Sequence, residues 1–232
     1  MRSVMRRIRK LALPVVLVPV VAVGVALGAF VLGGGQAGAT TTACSAETPT
    51  AGTTTGSCSV TGTLTLNAGT LSLTPPAQLA WSGTLDGATL SLVDNTTADQ
   101  SYTVGDNTGS GAGWHVQVAA TTFTDSTTSA SLSSSGTFST NGSTSSSTAT
   151  TGPSAACTSS GACTPPSNGT TYPVAITTAA SSPTPVTIFD AAAGSGLGDI
   201  TISSVGWWLS IPPTATAGTY TSTVTFSITS GP

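Results

Sequence analysis

Apolar and hydroxyl-bearing residues alternate along most of this chain, and the alternation begins abruptly. Val60-Thr61-Gly62-Thr63-Leu64-Thr65-Leu66 is the first such run, followed by Leu71-Ser72-Leu73 and Leu90-Ser91-Leu92. A repeat of two places every second side chain on the same face of a strand, and threonine suits the pleated surface opposite. The same reading predicts strands at 113–120, 171–177, 186–189, 200–211 and 219–229. Between them lie turn signals: Asn67-Ala-Gly, Pro75-Pro76, Asp86-Gly87, Asn141-Gly142, Asn168-Gly169 and Pro212-Pro213. No window after residue 39 carries a helical stripe. The pattern predicts an all-β chain, an antiparallel β-sandwich or jelly-roll-like single domain over residues 60–232. Residues 125–170 are almost all Ser, Thr, Gly and Ala, and are expected to be a long loop or irregular hairpin inserted in it.

The first 39 residues follow another rule. Arg2, Arg6, Arg7, Arg9 and Lys10 are the only basic residues of the 232, and an apolar run from Leu11 to about Leu32 follows them. Ala37-Gly38-Ala39 supplies a small-residue cleavage pattern, so 1–39 reads as a secretory signal peptide cut after Ala39. The apolar run is also long enough to span a bilayer, and an uncleaved membrane anchor is the alternative. Residues 40–59 form a Thr/Gly-rich segment ahead of the sandwich.

Charge removes several functions. After residue 39 there is no Lys or Arg, whereas Glu47, Asp86, Asp94, Asp99, Asp106, Asp125, Asp190 and Asp199 remain, a formal charge of 0 − 8 = −8. Nothing can neutralise phosphates, which excludes nucleic acid as a partner and disfavours an anionic membrane surface. A membrane is a partner only if the N-terminal run stays attached. The cysteines, Cys44, Cys58, Cys157 and Cys163, suit an oxidising compartment. Pairing 44 with 58 and 157 with 163 closes two short loops. Zinc is the rival reading, but the spacing lacks C-x-x-C pairs and the histidines of a zinc site.

Candidate chemistry is thin. His115 is the only histidine, and strand alternation turns it and Gln117 away from Trp114, Val116 and Val118. No nucleophile elbow accompanies it, so no catalytic residue, cofactor or metal is assigned. Asp94, Asn95, Asp99, Asp106 and Asn107 offer oxygen ligands suited to calcium, yet these are also ordinary turn residues and no D-x-D-x-D-G pattern is present. Aromatics remain. In Val205-Gly206-Trp207-Trp208-Leu209-Ser210-Ile211, alternation sends Trp207 and Leu209 to the core and Trp208 to the other face. There Trp208 is either a platform on which a sugar ring stacks or a residue covered by another segment.

Two stretches together resemble the WxL-domain surface proteins of Gram-positive bacteria. The Gly-rich turn Asp106–Gly113 leads into Trp114-His115-Val116, with Val at the position of the family's Leu. Near the C-terminus, Tyr220-Thr221-Ser222-Thr223-Val224-Thr225-Phe226-Ser227-Ile228 matches Y-x-x-x-L-T-W-x-L in spacing, with Val, Phe and Ile replacing Leu, Trp and Leu. Trp207-Trp208-Leu209 satisfies the tripeptide literally, outside the distal motif. The resemblance covers residue 60 to the end. It implies a secreted, non-enzymatic protein at the cell wall surface, bound non-covalently to peptidoglycan or an attached polymer and associated with other surface proteins. Trp114, Val116, Trp207, Trp208, Leu209, Tyr220, Val224, Thr225, Phe226 and Ile228 are the motif or wall-binding candidates. Phe226 lacks the indole N–H that tryptophan supplies, and its face of the strand is expected to be buried. A self-associating structural subunit, and a membrane-anchored adhesin, are the alternative functions. Mass spectrometry of the exported protein is expected to find Thr40 as the first residue; an intact basic N-terminus identifies the anchor instead.

Overall fold

The computed structural model describes residues 61–132, 138–158 and 163–232. The expected signal peptide, 1–39, and the expected Cys44–Cys58 bond lie outside these residues. Fourteen strands are formed among them, with one 3₁₀ turn at Thr97–Gln100. In chain order they are β1 (Leu71–Thr74), β2 (Leu90–Val93), β3 (Tyr102–Asp106), β4 (Trp114–Thr121), β5 (Thr124–Asp125), β6 (Phe138–Asn141) and β7 (Ser154–Cys157). Then follow β8 (Val174–Ile176), β9 (Thr178–Ala179), β10 (Val186–Ala191), β11 (Gly198–Ser203), β12 (Gly206–Ile211), β13 (Tyr220–Thr221) and β14 (Val224–Ser230).

The strands assemble into sheets of order β1-β3-β11-β7, β10-β4-β14 and β2-β12-β6-β8, with a small β13-β5 ribbon. All pairings are antiparallel except a short parallel contact of β9 with β4. Side chains from the three larger sheets meet in one core, including Val104, Ile200 and Ile202 from the first, Trp114, Val116 and Phe189 from the second, and Phe138, Ile176 and Trp207 from the third. The predicted all-β sandwich-like class is therefore the class observed.

Alternation explains most of the burial. In β4, Trp114, Val116, Val118 and Ala120 are sealed from solvent while His115 and Gln117 are half-buried. In β11, Ile200 and Ile202 are buried and Asp199 is exposed. A register shift between Thr187 and Phe189 in β10 allows Ile188 and Phe189 both to be buried, where strict alternation would expose one.

Three expectations are corrected. Residues 61–66 form no strand, and Leu64 and Leu66 are 80% and 82% exposed. The predicted strand 200–211 is two strands: Ser204 takes a left-handed backbone (φ 60°), so β11 ends and β12 begins in another sheet. The Ser/Thr-rich stretch 125–170 contributes strands β6 and β7, with β6 lying between β12 and β8. Phe138, the one large apolar residue of β6, is fully buried and anchors it; its neighbours read as loop because they are small and polar. The Cys157–Cys163 disulfide is formed, with Cα atoms 5.4 Å apart, joining the end of β7 to the segment that bridges to Gly198.

Aromatic contacts bind the layers. Trp207 meets Phe226 edge to face at 5.5 Å and lies 6.2 Å from Phe138. Trp81 approaches Phe123 and Phe138 edge-on at 5.7 and 5.6 Å. Replacing Trp207 with Ala is expected to cost about 3–5 kcal/mol, because the cavity left between two packed sheets cannot close. Trp207→Phe, which keeps the ring contacts and loses the Nε1–H bond to the Asp99 carbonyl, is expected to cost about 1 kcal/mol. Urea unfolding monitored by far-UV circular dichroism checks both.

Candidate functional site

An open groove of about 1290 Å³ lies on the surface of the described residues. One wall is the irregular segment Pro75–Leu85, which follows β1. The other is Ala215–Phe226, which carries β13 and the start of β14. Leu90 and Leu92 of β2 and Leu209 and Ile211 of β12 line it between these walls, with Phe123 and Leu132. Among the described residues no Asp, Glu, Lys, Arg or His lines it; the lining is apolar, with hydroxyls from Ser82, Thr216, Thr219 and Tyr220 at hand.

Each wall is tied down by an aspartate. Asp94, at the end of β2, accepts the Ala80 N–H on one carboxylate oxygen at 2.9 Å and the Thr96 N–H on the other at 2.8 Å. Trp81 adds a second tie, its indole N–H donating to the Trp207 carbonyl at 2.9 Å. Across the groove, Asp125 accepts the Thr127 and Thr128 N–H groups on one oxygen and the Thr219 N–H on the other. Gly218 is required there, since a Cβ would sit 1.9 Å from Asp125 Oδ2. Tyr220 completes the rim by donating its hydroxyl to the Thr216 carbonyl at 2.9 Å.

The sequence motifs divide between groove and core. Leu209, Tyr220, Val224, Thr225 and Phe226 line the groove. Trp114, Val116, Trp207 and Trp208 are buried, and Ile228 is half-buried and outside the lining. The two resembling motifs are hydrogen-bonded neighbours: β14 lies against β4 with Phe226 opposite Val118 and Ile228 opposite Val116. Trp114 stacks on Phe189 at 6.1 Å and donates its Nε1–H to the Gly196 carbonyl at 2.8 Å. Gly113, at φ 77°, permits this entry; a Cβ there would lie 2.2 Å from the Ala191 carbonyl oxygen.

The exposed sugar platform at Trp208 is not formed. Trp208 is 6% exposed, and its indole N–H is held by the Ser143 carbonyl at 2.9 Å and Asn141 Oδ1 at 3.2 Å. The Asn141–Ser143 turn, from the stretch expected to be loop, supplies the cover. The groove also contains residues that sequence reasoning did not name as site candidates: Leu90, Leu92 and Ile211, which it read within strands, and the segment Pro75–Leu85 with Trp81. The signal of that segment was a Pro-Pro break followed by an apolar stretch without period, which marks a packed irregular segment but does not say what it faces.

Nothing resembling a reactive constellation accompanies the groove. His115 Nδ1 lies 2.6 Å from the Gly231 carbonyl, on the strand end remote from it. Asp106 accepts the Thr108 N–H and hydroxyl, and Asp190 accepts the Gly169 and Thr170 N–H groups. Among the described residues no three His, Cys, Asp or Glu side chains cluster as metal ligands. The chain matches no family model, no curated protein and no solved structure at a significant level.

The N–H groups of Thr128, Thr127 and Thr219 hold the Asp125 carboxyl below its ordinary value of 3.8. A depressed folded-state pKa stabilises the fold above the unfolded value, and that contribution is lost as pH falls through the folded one. The Thr127 and Thr219 amide resonances are therefore expected to hold steady above pH 4 and shift together below it. In Asp125→Asn this acid-linked step is expected to disappear from the pH profile of stability.

Proposed function

We propose that this chain is an exported, non-enzymatic structural protein of the bacterial cell surface that works by non-covalent association with the cell wall. The observation that carries the reading is the division of labour among its polar groups. Carboxylates such as Asp94, Asp106, Asp125 and Asp190 are occupied by backbone N–H groups in turns, while the large groove offers apolar and hydroxyl surface without charge. That arrangement suits holding a partner and is poorly suited to proton transfer or nucleophilic attack. The WxL-like motif pair, adjacent in β4 and β14, supports the placement at the wall, as do the secretory N-terminus and the Cys157–Cys163 disulfide.

With Trp114, Trp207 and Trp208 buried, wall contact on this reading falls to other surface. A second reading, a self-associating subunit, is favoured by the pairing of an open apolar groove with the exposed Leu64 and Leu66.

Co-sedimentation of the exported protein with purified insoluble peptidoglycan tests the first reading. The expected result is saturable pelleting at concentrations where the protein is monomeric; recovery no greater than that of an inert acidic protein of similar size overturns it. Trp208→Ala is expected to lower pelleting only in proportion to the folded protein it loses.

A further inference from the structure

We propose that the groove is an acceptor for a β-strand, and that its occupant is the Leu64-Thr65-Leu66 segment of a second copy of this chain. The inference deepens the self-association reading above and rests on it.

The donor is unusual within its own molecule. Among the described residues Leu64 and Leu66 are the most exposed of the large apolar residues, at 80% and 82%, and the segment is paired to no described strand. Its sequence is nevertheless that of a half-buried strand, with Leu64 and Leu66 alternating with threonine. In extended form the two leucines lie on one face about 7 Å apart. The acceptor presents the same spacing. Val224 and Phe226 face the groove from β14, and Leu90 and Leu92 face it from β2. Among the described strands both β14 and β2 are edge strands of their sheets by hydrogen bonding, with β1 packed beside part of β14, so an incoming strand finds unpaired backbone beside an apolar trough along β2 and the part of β14 that β1 leaves free. The groove exceeds the roughly 300–1,000 Å³ of a small-molecule pocket and has no charged group to orient a charged ligand. An uncharged Leu-Thr-Leu strand matches it in chemistry and shape.

The strand registers favour a second copy over the chain's own segment. Leu71 opposes Asp106, and the turn after Asp106 leads to Trp114, which opposes Ser230. The Gly69 N–H donates to the Asn107 carbonyl at 2.8 Å, and the Asn107 N–H to the Thr70 carbonyl at 3.1 Å, so the segment leaves the sandwich at this end. The groove wall starts at Pro75, beyond the opposite end of β1, and includes Val224 at the opposite end of β14. Six residues separate Gly69 from Pro75, about 20 Å in extended chain, whereas Leu66 and Leu64 lie only three and five residues before Gly69, about 10 and 17 Å. Folded back on itself, the segment stops short of the Pro75 end. Passed to a neighbour, it docks without releasing Gly69 or Thr70. Because donor and acceptor are different surfaces, the contact is head-to-tail and repeats along a row of molecules.

The test uses the protein as exported by its expressing cell. Sedimentation velocity over a hundredfold concentration range is expected to show oligomers that grow with concentration. Leu64→Asp with Leu66→Asp is expected to leave a monomer throughout, with an unchanged melting temperature because both positions are exposed. Leu85→Asp, at the groove mouth, is expected to weaken assembly at least tenfold. Oxidising a mixture of Leu66→Cys molecules with Thr225→Cys molecules is expected to give a disulfide-linked dimer, and each variant alone little of it. A monomer at every concentration overturns the proposal. So does a Leu66→Cys/Thr225→Cys double variant that closes within one chain at high dilution while the mixed single variants do not couple. Peptidoglycan pelleting by the monomeric Leu64→Asp/Leu66→Asp variant separates the two ideas: its persistence leaves wall association standing whatever becomes of the strand exchange.

Discussion

The fold depends on the burial of one strand. Trp114–Thr121 is hydrogen-bonded to β10 on one side and β14 on the other, and its inward side chains are inaccessible to water. Trp114 fixes its start through Phe189 and the Gly196 carbonyl. Everything that follows takes its position from this strand. Through β14 it sets Phe226, which meets Trp207, and Trp207 meets Phe138 of the third sheet. A chain of aromatic contacts thus runs from Phe226, on the strand paired to β4, through Trp207 to Phe138 and on to Trp81 and Phe123.

The absence of cations after residue 10 imposes a second constraint. Without Lys or Arg beyond residue 10, these aspartates have no lysine or arginine to pair with, and the backbone solvates most of them; Asp99, whose Oδ2 is buried without a hydrogen-bond partner, is an exception. Asp86, Asp94, Asp106, Asp125 and Asp190 each accept at least one backbone N–H. Charge-assisted bonds of this kind are stronger than neutral ones and need no partner side chain. The consequence is functional as well as structural: Asp94 and Asp125 hold opposite walls of the groove, and neither charge points into it. The tryptophans obey the same economy, with every indole N–H donated to an internal acceptor, leaving aromatic surface as mass and shape.

The legibility of this chain varies with the size of its residues. Leu71–Leu73, Leu90–Leu92, Trp114–Val118 and Val224–Ile228 were readable as strands because large apolar side chains alternate with small polar ones. β6 and β7 were not, because in Phe138–Asn141 and Ser154–Cys157 only Phe138 is large, and neighbouring strands supply the remaining order. The error at Leu64 and Leu66 has the opposite origin. Their alternation is genuine, but a strand also needs a partner, and no described strand of the chain pairs with them.

Composition and the two-residue period were enough to determine an anionic, all-β chain with no Lys or Arg after residue 10, since each follows from residue type and local spacing. Whether a given aromatic is covered does not follow from spacing. Trp208 stands on what alternation makes the outer face of β12, and only the distant Asn141–Ser143 turn, brought over it by the β6–β12 pairing, decides that it is buried. The groove has the same origin: segments 75–85 and 215–226 are far apart in the chain and irregular in pattern, and become two walls only when β2 and β14 end up as sheet edges. Long-range pairing sets these features, and local periodicity carries no record of it.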